Sequence, residues 1–201
     1  MKLIIYGTGI FSEVLLDEIY ENSKEVVAFT LDDELIDSDT HMGIPLIPFS
    51  NIESKFSPSE FDLLIGITYQ NKNETRKEYF LKGLEKGYSM NGFISNKSNI
   101  SKNVSIGKNN IILSGNLIQT SVEIGDNNIF WNTNHIGHHT KIGNNCFISS
   151  HVVISGNCIL GDNIFLGVNS TIIDNLEIED FTLAGAGSVI KNSSKKNEII
   201  K

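Results

Sequence analysis

The sequence predicts two domains of different classes, a small α/β domain over residues 1–92 followed by an all-β parallel helix over residues 93–201. Two observations support this prediction. In the first segment, short apolar runs alternate with stretches of helical periodicity, which is the order of βαβ units with a parallel sheet. In the second segment, an apolar residue returns at every sixth position, a period that neither an α-helix nor an alternating strand produces.

Composition narrows the class of protein further. The chain has 201 residues, of which 40% are hydrophobic, and a formal net charge of −8 at pH 7. This acidic balance disfavours nucleic acid as a partner, because proteins that bind the phosphate backbone normally carry a basic patch. The apolar run before Gly7 is too short for a signal peptide or a membrane span. We therefore expect a cytoplasmic chain with no membrane partner.

The N-terminal segment has a glycine turn between its first strand and its first helix. We expect strands near residues 3–6, 26–29 and 63–67, and helices over 11–21 and 73–86. The turn Tyr6-Gly7-Thr8-Gly9-Ile10 stands where Rossmann-like domains hold phosphates with backbone amides. Because the third glycine of that motif is missing, a purely structural turn is the alternative interpretation.

The period of six continues through the second segment without a break. The apolar positions are Ile94, Ile100, Ile106, Ile112, Ile118, Ile124, Phe130, Ile136, Ile142, Ile148, Ile154, Leu160, Leu166, Ile172, Ile178, Ala184 and Ile190. Glycine often follows them, and asparagine or aspartate is frequent at the next two positions, where such residues tolerate the left-handed angles of tight corners. Cys146 and Cys158 fall among the small inward positions, so we interpret them as packed thiols rather than a disulfide or metal ligands.

This repeat resembles that of the hexapeptide-repeat acyltransferases. The resemblance implies a left-handed parallel β-helix with three hexads per turn, and a homotrimer with active sites at subunit boundaries. The domain order is similar to the branch that contains sialic acid O-acetyltransferases and the N-acetyltransferases of bacterial 4-amino sugars. In that branch a small nucleotide-sugar-binding domain precedes the coil. The resemblance therefore implies acetyl-CoA as co-substrate and a nucleotide-linked sugar as partner.

A histidine cluster lies in the middle of the coil segment. Ile136-Gly137-His138 matches the family's Ile-x-His motif, so the resemblance implies that His138 is the general base, a role that suits the pKa of imidazole. With three hexads per turn, Gly156 should stack beside His138 and leave space there. Relatives usually have an acidic residue directly after this histidine, but the position holds His139, whose neutral imidazole could orient His138 without supplying a carboxylate's charge. We expect His135 to project outward from a corner and to contact substrate or a neighbouring subunit.

Two other interpretations of the cluster remain. One is a polar surface turn, and the other is a zinc site, although no acidic or thiolate ligand accompanies the histidines in the local sequence. In some relatives a second histidine lies near the thioester, and Phe147 occupies that position here.

Donor and acceptor positions are also implied by the resemblance. In the family, CoA lies along the groove between coils, which matches Gly156, Gly167, Gly185 and Ala186, although glycines are also plain corner residues of the repeat. The nucleotide-sugar contacts match the ends of the N-terminal strands, where carboxylates can accept hydrogen bonds from base or ribose. The carried-over residues are Gly9, Ile10, Phe11, Asp32, Asp33 and Thr68. Thr68 stands in a stretch that resembles the family's third nucleotide-facing strand, and Arg76 belongs to the helix after it. Arg76 could equally cap or solvate that helix.

These features predict an enzyme that transfers an acetyl group from acetyl-CoA to the amino group of a nucleotide-linked amino sugar, in polysaccharide biosynthesis. O-acetylation of a sugar such as sialic acid is an alternative that the same site could serve. A non-catalytic scaffold that binds a nucleotide-linked sugar is a third interpretation, supported by the missing acidic neighbour of His138.

Overall fold

The structure, a computed structural model, describes residues 2–201. Its N-terminal part is a five-stranded sheet with helices on both faces. The elements are β1 (Lys2–Tyr6), α1 (Ile10–Glu21), β2 (Val26–Leu31), β3 (Thr40–His41), β4 (Ile44–Pro48), α2 (Ile52–Lys55), β5 (Phe61–Ile65) and α3 (Glu74–Glu85), with short 3-10 turns at Asp33–Leu35, Phe49–Asn51 and Asn71–Asn73. Among residues 2–201, no helix is both long and apolar enough to cross a bilayer.

The strand order of this sheet is β3-β4-β2-β1-β5, and all neighbours are parallel except the β3/β4 hairpin. The three predicted strands and two predicted helices are confirmed to within a few residues. The prediction missed β3, β4 and α2. β4 contains Pro45 and Pro48, which argue against a strand in sequence, but Pro45 faces the short hairpin partner at the side of the sheet where prolines are tolerated.

From residue 93 onward the chain forms short strands that end at each apolar hexad position. They are β6 (Phe93–Ile94), β7 (Asn99–Ile100), β8 (Ser105–Ile106), β9 (Ile111–Ile112), β10 (Leu117–Ile118), β11 (Glu123–Ile124), β12 (Ile129–Phe130), β13 (His135–Ile136), β14 (Lys141–Ile142), β15 (Phe147–Ile148), β16 (Val153–Ile154), β17 (Ile159–Leu160), β18 (Phe165–Leu166), β19 (Thr171–Ile172), β20 (Glu177–Ile178), β21 (Leu183–Ala184), β22 (Val189–Ile190) and β23 (Ile199–Ile200). The last strand, β23, breaks the period of six and was not predicted.

Each strand pairs in parallel with the strand one turn later, as His135 does with Val153 and Ile136 with Ile154. The result is a three-faced prism with sheets of six, five and seven strands, the predicted left-handed β-helix. We name the sheets by a central outward residue. The His135 face runs from β7 to β22, the Lys141 face from β8 to β20, and the Phe147 face from β6 to β23.

The corners of the prism use left-handed backbone angles at the third residue after most of the apolar positions. Asn127 has φ 63°, Asn145 has φ 58° and Asn157 has φ 59°. Asparagine is favoured there because it tolerates this region better than other residues with a Cβ. The glycine two residues before the left-handed position has a different role. A Cβ on Gly143 would lie 2.7 Å from the carbonyl oxygen of Gly161, so successive turns could not approach this closely.

The interior of the prism is a continuous stack of hexad side chains, most of them isoleucine or leucine. Cys146 and Cys158 belong to this stack and are buried free thiols, as predicted. Burial raises the pKa of the Cys146 thiol to about 12, so this group is not a nucleophile at neutral pH.

The N-terminal domain packs on the Phe147 face. Outward side chains of this face, among them Phe93, Ile129 and Phe147, share one hydrophobic cluster with Leu15 and Ile19 of α1. The two domains are therefore joined by a buried apolar interface. The other two faces of the prism are left open by the N-terminal domain.

Candidate active site

His138 lies at the corner between the His135 face and the Lys141 face, which we call the His138 corner. Its imidazole contacts Gly156, which lies one turn later on the coil. A Cβ added to Gly156 would lie 2.7 Å from Cε1 and 2.8 Å from Nε2 of His138. Glycine at this position therefore provides the space in which the ring lies.

His138 is held by its neighbour His139 and by the turn before. Its Nδ1 lies 3.1 Å from Nδ1 of His139, and the two rings are nearly perpendicular, at 82°. One of these nitrogens donates the hydrogen and the other accepts it. The backbone N–H of His138 donates to Oε1 of Gln119 at 2.9 Å, and that of His139 donates to the carbonyl of Thr120 at 3.1 Å.

An open groove of about 540 Å³ runs beside the two imidazoles. Its lining residues are Ser101, Gln119, Thr120, His138 and His139. Both histidine side chains are exposed, and this lining contains no carboxylate. The groove therefore offers a solvent-accessible imidazole in polar, uncharged surroundings.

His135 does not occupy the predicted place. It lies within strand β13 on the flat outward face of the coil, half-buried, and not at a corner. The expectation of a corner was wrong because the residue directly before the inward apolar position still belongs to the strand and points to the opposite side of the sheet.

The four residues predicted to contact CoA lie at two different corners of the prism. Gly156 is at the His138 corner, whereas Gly167, Gly185 and Ala186 follow strands of the Phe147 face. A Cβ on Gly167 would lie 2.6 Å from the backbone nitrogen of Ala186, so close packing of turns alone accounts for glycine there. A single chain does not bring these four residues into one groove.

Phe147 is part of the domain interface. It is 8% exposed and stacks on Phe165 with ring centroids 5.3 Å apart, and Tyr69 covers both rings. The side chain that replaces the second histidine of relatives is therefore covered by its own N-terminal domain.

A second cavity, of about 550 Å³, lies in the N-terminal domain at the carboxyl ends of β1 and β5. Of the predicted substrate contacts, Gly9, Ile10, Phe11 and Thr68 line it. Ile10 is 83% exposed at its rim, and a Cβ on Gly9 would meet nothing within 4 Å. We call this cavity the Gly9 pocket.

The start of helix α1 faces the Gly9 pocket. Gly9 is the N-cap residue and has no side chain to cap the helix, so the first N–H groups of α1 lack a side-chain partner. The N–H of Ser12 donates to the carbonyl of Gly9. A helix N-terminus also carries partial positive charge, which favours phosphate groups.

Asp32 and Asp33 line a neighbouring depression and do not form part of the Gly9 pocket. Asp32 accepts a hydrogen bond from the hydroxyl of Tyr79, and Asp33 accepts one from Oγ of Ser50 at 2.7 Å. Their predicted contact with a nucleotide base or ribose stays a prediction, and both carboxylates also have partners within the domain.

Tyr79 is a pocket residue that sequence reasoning missed. It lines the Gly9 pocket and stacks on Tyr6, with ring centroids 4.0 Å apart. Burial, followed by the hydrogen bond to Asp32, raises the pKa of Tyr79, so the hydroxyl remains a donor at neutral pH. The spacing of an aromatic residue on the predicted second helix was the only signal available, and it also fits a core residue.

Arg76 neither caps helix α3 nor faces solvent. Its side chain is completely buried at the domain interface and donates to backbone carbonyls. Burial lowers the pKa of the guanidinium to about 9, which leaves it charged at neutral pH.

Within the residues that the structure describes, no group of three or more histidine, cysteine, aspartate or glutamate side chains is arranged to hold a metal ion. Oxygen and nitrogen ligands at the His138 corner are limited to two imidazoles, a glutamine and hydroxyl groups.

Two family models match the chain. The PglD N-terminal domain matches residues 2–83, and the bacterial transferase hexapeptide model, of six repeats, matches residues 121–156. A search of curated proteins found no match.

Solved structures with the same fold include several named as acetyltransferases. The acetyltransferase domain of PglB from Neisseria gonorrhoeae has a TM-score of 0.87 at 19% identity, covering 98% of this chain and 95% of that one. PerB from Caulobacter crescentus, in complex with CoA and GDP-perosamine, has a TM-score of 0.83 at 21% identity, covering 100% and 92%. WeeI from Acinetobacter baumannii has a TM-score of 0.66 at 18% identity, covering 99% and 96%. At these identities the likeness establishes the two-domain fold.

Proposed function

We propose that this chain, which joins a PglD N-terminal domain to a bacterial transferase hexapeptide coil, transfers an acetyl group from acetyl-CoA to the amino group of a nucleotide-linked amino sugar. The observation that carries the proposal is the exposed imidazole of His138, held by His139 and seated on Gly156 beside an open groove. A coil that served only as a scaffold would not require a glycine under an ordered surface histidine.

The proposed reaction needs one base and one leaving group. The sugar amine attacks the thioester carbonyl, forming the C–N bond, and the C–S bond then breaks to release CoA. His138 accepts the proton that the attacking amine loses, and that proton can leave with the CoA thiol. General base catalysis of this kind contributes roughly a hundredfold to ten-thousandfold.

His139 sets the tautomer of His138 in this proposal. If Nδ1–H of His138 donates to Nδ1 of His139, then Nε2 of His138 carries the free lone pair that a base requires. The neutral acceptor orients the ring but stabilises the developing imidazolium less than a carboxylate would.

The Gly9 pocket is the proposed binding site for the nucleoside diphosphate part of the sugar substrate. Its polar floor is the glycine turn and the start of α1, which suit phosphate oxygens. Its walls include Leu31, Leu35 and Tyr79, which offer apolar and aromatic surface to a base or a sugar. The complex of PerB with GDP-perosamine supports a nucleotide sugar as the ligand class.

We further propose that the active unit is a homotrimer. The Gly9 pocket and the His138 groove share no lining residue, and the N-terminal domain covers the Phe147 face while His138 lies at the opposite corner. A second copy is needed to bring an acceptor pocket to that corner. Exposed apolar side chains on the His135 face, Leu117, Val153 and Val189, give such a copy a surface to cover.

In this trimer the donor groove lies beside Gly156, and Gly167, Gly185 and Ala186 of an adjacent copy complete it. Gly185 and the exposed Ala186 are small enough to leave the backbone there accessible to the pantetheine chain. This arrangement accounts for why one chain alone presents the four positions at two corners.

The test is release of CoA thiol from acetyl-CoA with a panel of UDP-, dTDP- and GDP-linked amino sugars, and with sialic acid as an O-acceptor. Wild type is compared with His138→Ala and with Lys102→Ala, a control at the equivalent hexad position two turns away. Thiol release with an amino sugar that only His138→Ala loses supports the proposal. Equal rates in all three proteins would exclude His138 as base, and turnover with sialic acid alone would replace N-acylation by O-acylation.

A further inference from the structure

Arg76 is a buried cation whose partners are all backbone carbonyls. Its side chain is 0% exposed. Nε donates to the carbonyl of Asn127 at 3.2 Å, Nη2 to that of Asn109 at 3.0 Å, and Nη1 to those of Ile65 and Ile67. A charge buried this completely is costly unless its surroundings supply dipoles. Here four oriented carbonyls supply them.

These four carbonyls come from both domains. Asn109 and Asn127 lie at the same corner of the coil in successive turns. Ile65 ends strand β5, and Ile67 lies just beyond it. The planar guanidinium bridges the two segments, which a lysine ammonium with its single nitrogen could not do with the same geometry.

The coil also holds the end of strand β5 through a second hydrogen bond. Oδ1 of Asn109 accepts a hydrogen bond from the backbone N–H of Ile65 at 3.1 Å. β5 is the edge strand of the N-terminal sheet. Both polar groups of Ile65 are therefore held from outside that sheet, one by the coil and one by Arg76.

The segment held in this way is a wall of the Gly9 pocket. Gly66, Ile67 and Thr68 line the pocket directly after Ile65. Ile67 also limits the space at the glycine turn of residues 6–10, because a Cβ on Gly7 would lie 2.8 Å from Cγ2 of Ile67. A shift of this wall would therefore change the space available at Gly7 and at the start of α1.

We infer that Arg76 is a positioning residue for the nucleotide site, acting together with Asn109 of the coil to hold the 65–68 wall against the Gly9 pocket. The inference rests on the proposed function, because it takes a nucleotide as the ligand of that pocket. Arg76 contacts no ligand itself. Its effect passes through the carbonyls of Ile65 and Ile67.

Two substitutions each remove one of the contacts that hold the 65–68 wall. Arg76→Lys keeps the charge but loses the fork that spans both domains. Asn109→Gly removes the acceptor for Ile65 N–H and keeps the left-handed backbone, since the φ of Asn109 is 49°. Ile178→Val, a buried substitution in the coil core outside both cavities, controls for a general loss of stability.

The experiment is calorimetric titration of the full-length protein with UDP, dTDP and GDP, well below the unfolding temperature of each variant. We expect the Kd of the preferred nucleotide to rise tenfold or more in Arg76→Lys and in Asn109→Gly, and to stay within twofold in Ile178→Val. In thiol-release assays, KM for the nucleotide sugar should rise while KM for acetyl-CoA is unchanged.

Unchanged Kd in a folded Asn109→Gly protein would overturn the inference, even if Arg76→Lys does not fold. Unchanged Kd in Arg76→Lys would reduce Arg76 to a structural role. If wild-type protein bound none of the three nucleotides, the nucleotide site of the proposed function would itself be excluded. That outcome differs from failure of the inference about Arg76, in which wild type binds a nucleotide and the variants bind it equally well.

Discussion

The Nδ1 atoms of His138 and His139 lie 3.1 Å apart, so the neighbour of the proposed base is a second imidazole and not a carboxylate. Replacing His139 with Glu should raise kcat about tenfold, because a carboxylate stabilises the imidazolium that forms when His138 accepts a proton. His139→Ala should lower kcat, since the ring of His138 loses its partner. Thiol-release kinetics at saturating substrates measure both. A kcat that is the same in all three proteins would show that His139 does not act through His138.

Gly156→Ala should displace the imidazole of His138. The added Cβ would lie 2.7 Å from Cε1, too close for the ring to remain in place. The φ of Gly156 is not in the left-handed region, so the fold should tolerate alanine with little loss of stability. We expect kcat to fall about a hundredfold, in line with loss of a general base, with a thermal unfolding midpoint close to that of wild type. Full activity in a folded variant would contradict the assigned position of His138.

Glu18 should contribute stability that depends on pH. Burial tends to raise the pKa of this carboxyl, but hydrogen bonds from Ser114, and one from Asn132, outweigh burial and lower it below its ordinary value of 4.5. Because the folded-state pKa is the lower one, the carboxylate stabilises the fold above pH 4.5 and this contribution is lost as pH falls through the folded value. Glu18→Gln should therefore lower the free energy of unfolding by about 1–3 kcal/mol at pH 7, and the difference should narrow in urea titrations at pH 4. A difference that is constant with pH would assign it to packing instead.

Val153→Asp should dissociate the proposed trimer. Val153 is 39% exposed on the His135 face, and a carboxylate there would be buried without a partner if a second copy covered it. Sedimentation should show a monomer that has lost thiol release but still binds nucleotide in the Gly9 pocket. Glu177→Ala, on the open Lys141 face, is the comparison. A fully active Val153→Asp trimer would exclude this face as the contact.

The coil was predictable because its signal is local and repeated. Every hexad strand from β6 to β22 ends at the apolar position that the sequence marks. Many of the left-handed corners fall on asparagine, although others fall on residues such as Ser121, Thr133 and His139. Strand β23 was missed because Ile199 and Ile200 stand outside the period of six. The βαβ order of the first domain was equally visible, whereas β4 was hidden by its prolines.

The site was harder to predict because it depends on contacts between distant segments. The stacking of His138 beside Gly156 follows from the register alone. Nothing local in the sequence separates a solvated arginine from Arg76, which is buried only because the coil places the carbonyls of Asn109 and Asn127 around it. Likewise, nothing local in the sequence indicated that Tyr79 would donate a hydrogen bond to Asp32.

The edge strand β5 is covered by a segment that is synthesised later. Its Ile65 N–H is satisfied by Asn109, and the apolar side of α1 is covered by residues as far along the chain as Phe147. A ribosome-bound chain that ends near residue 92 would therefore display an unpaired strand edge beside an uncovered apolar helix, a combination that promotes self-association. Truncation of the chain at the boundary between the two domains would thus expose both surfaces. We expect the N-terminal half expressed alone to aggregate, whereas the 201-residue chain folds.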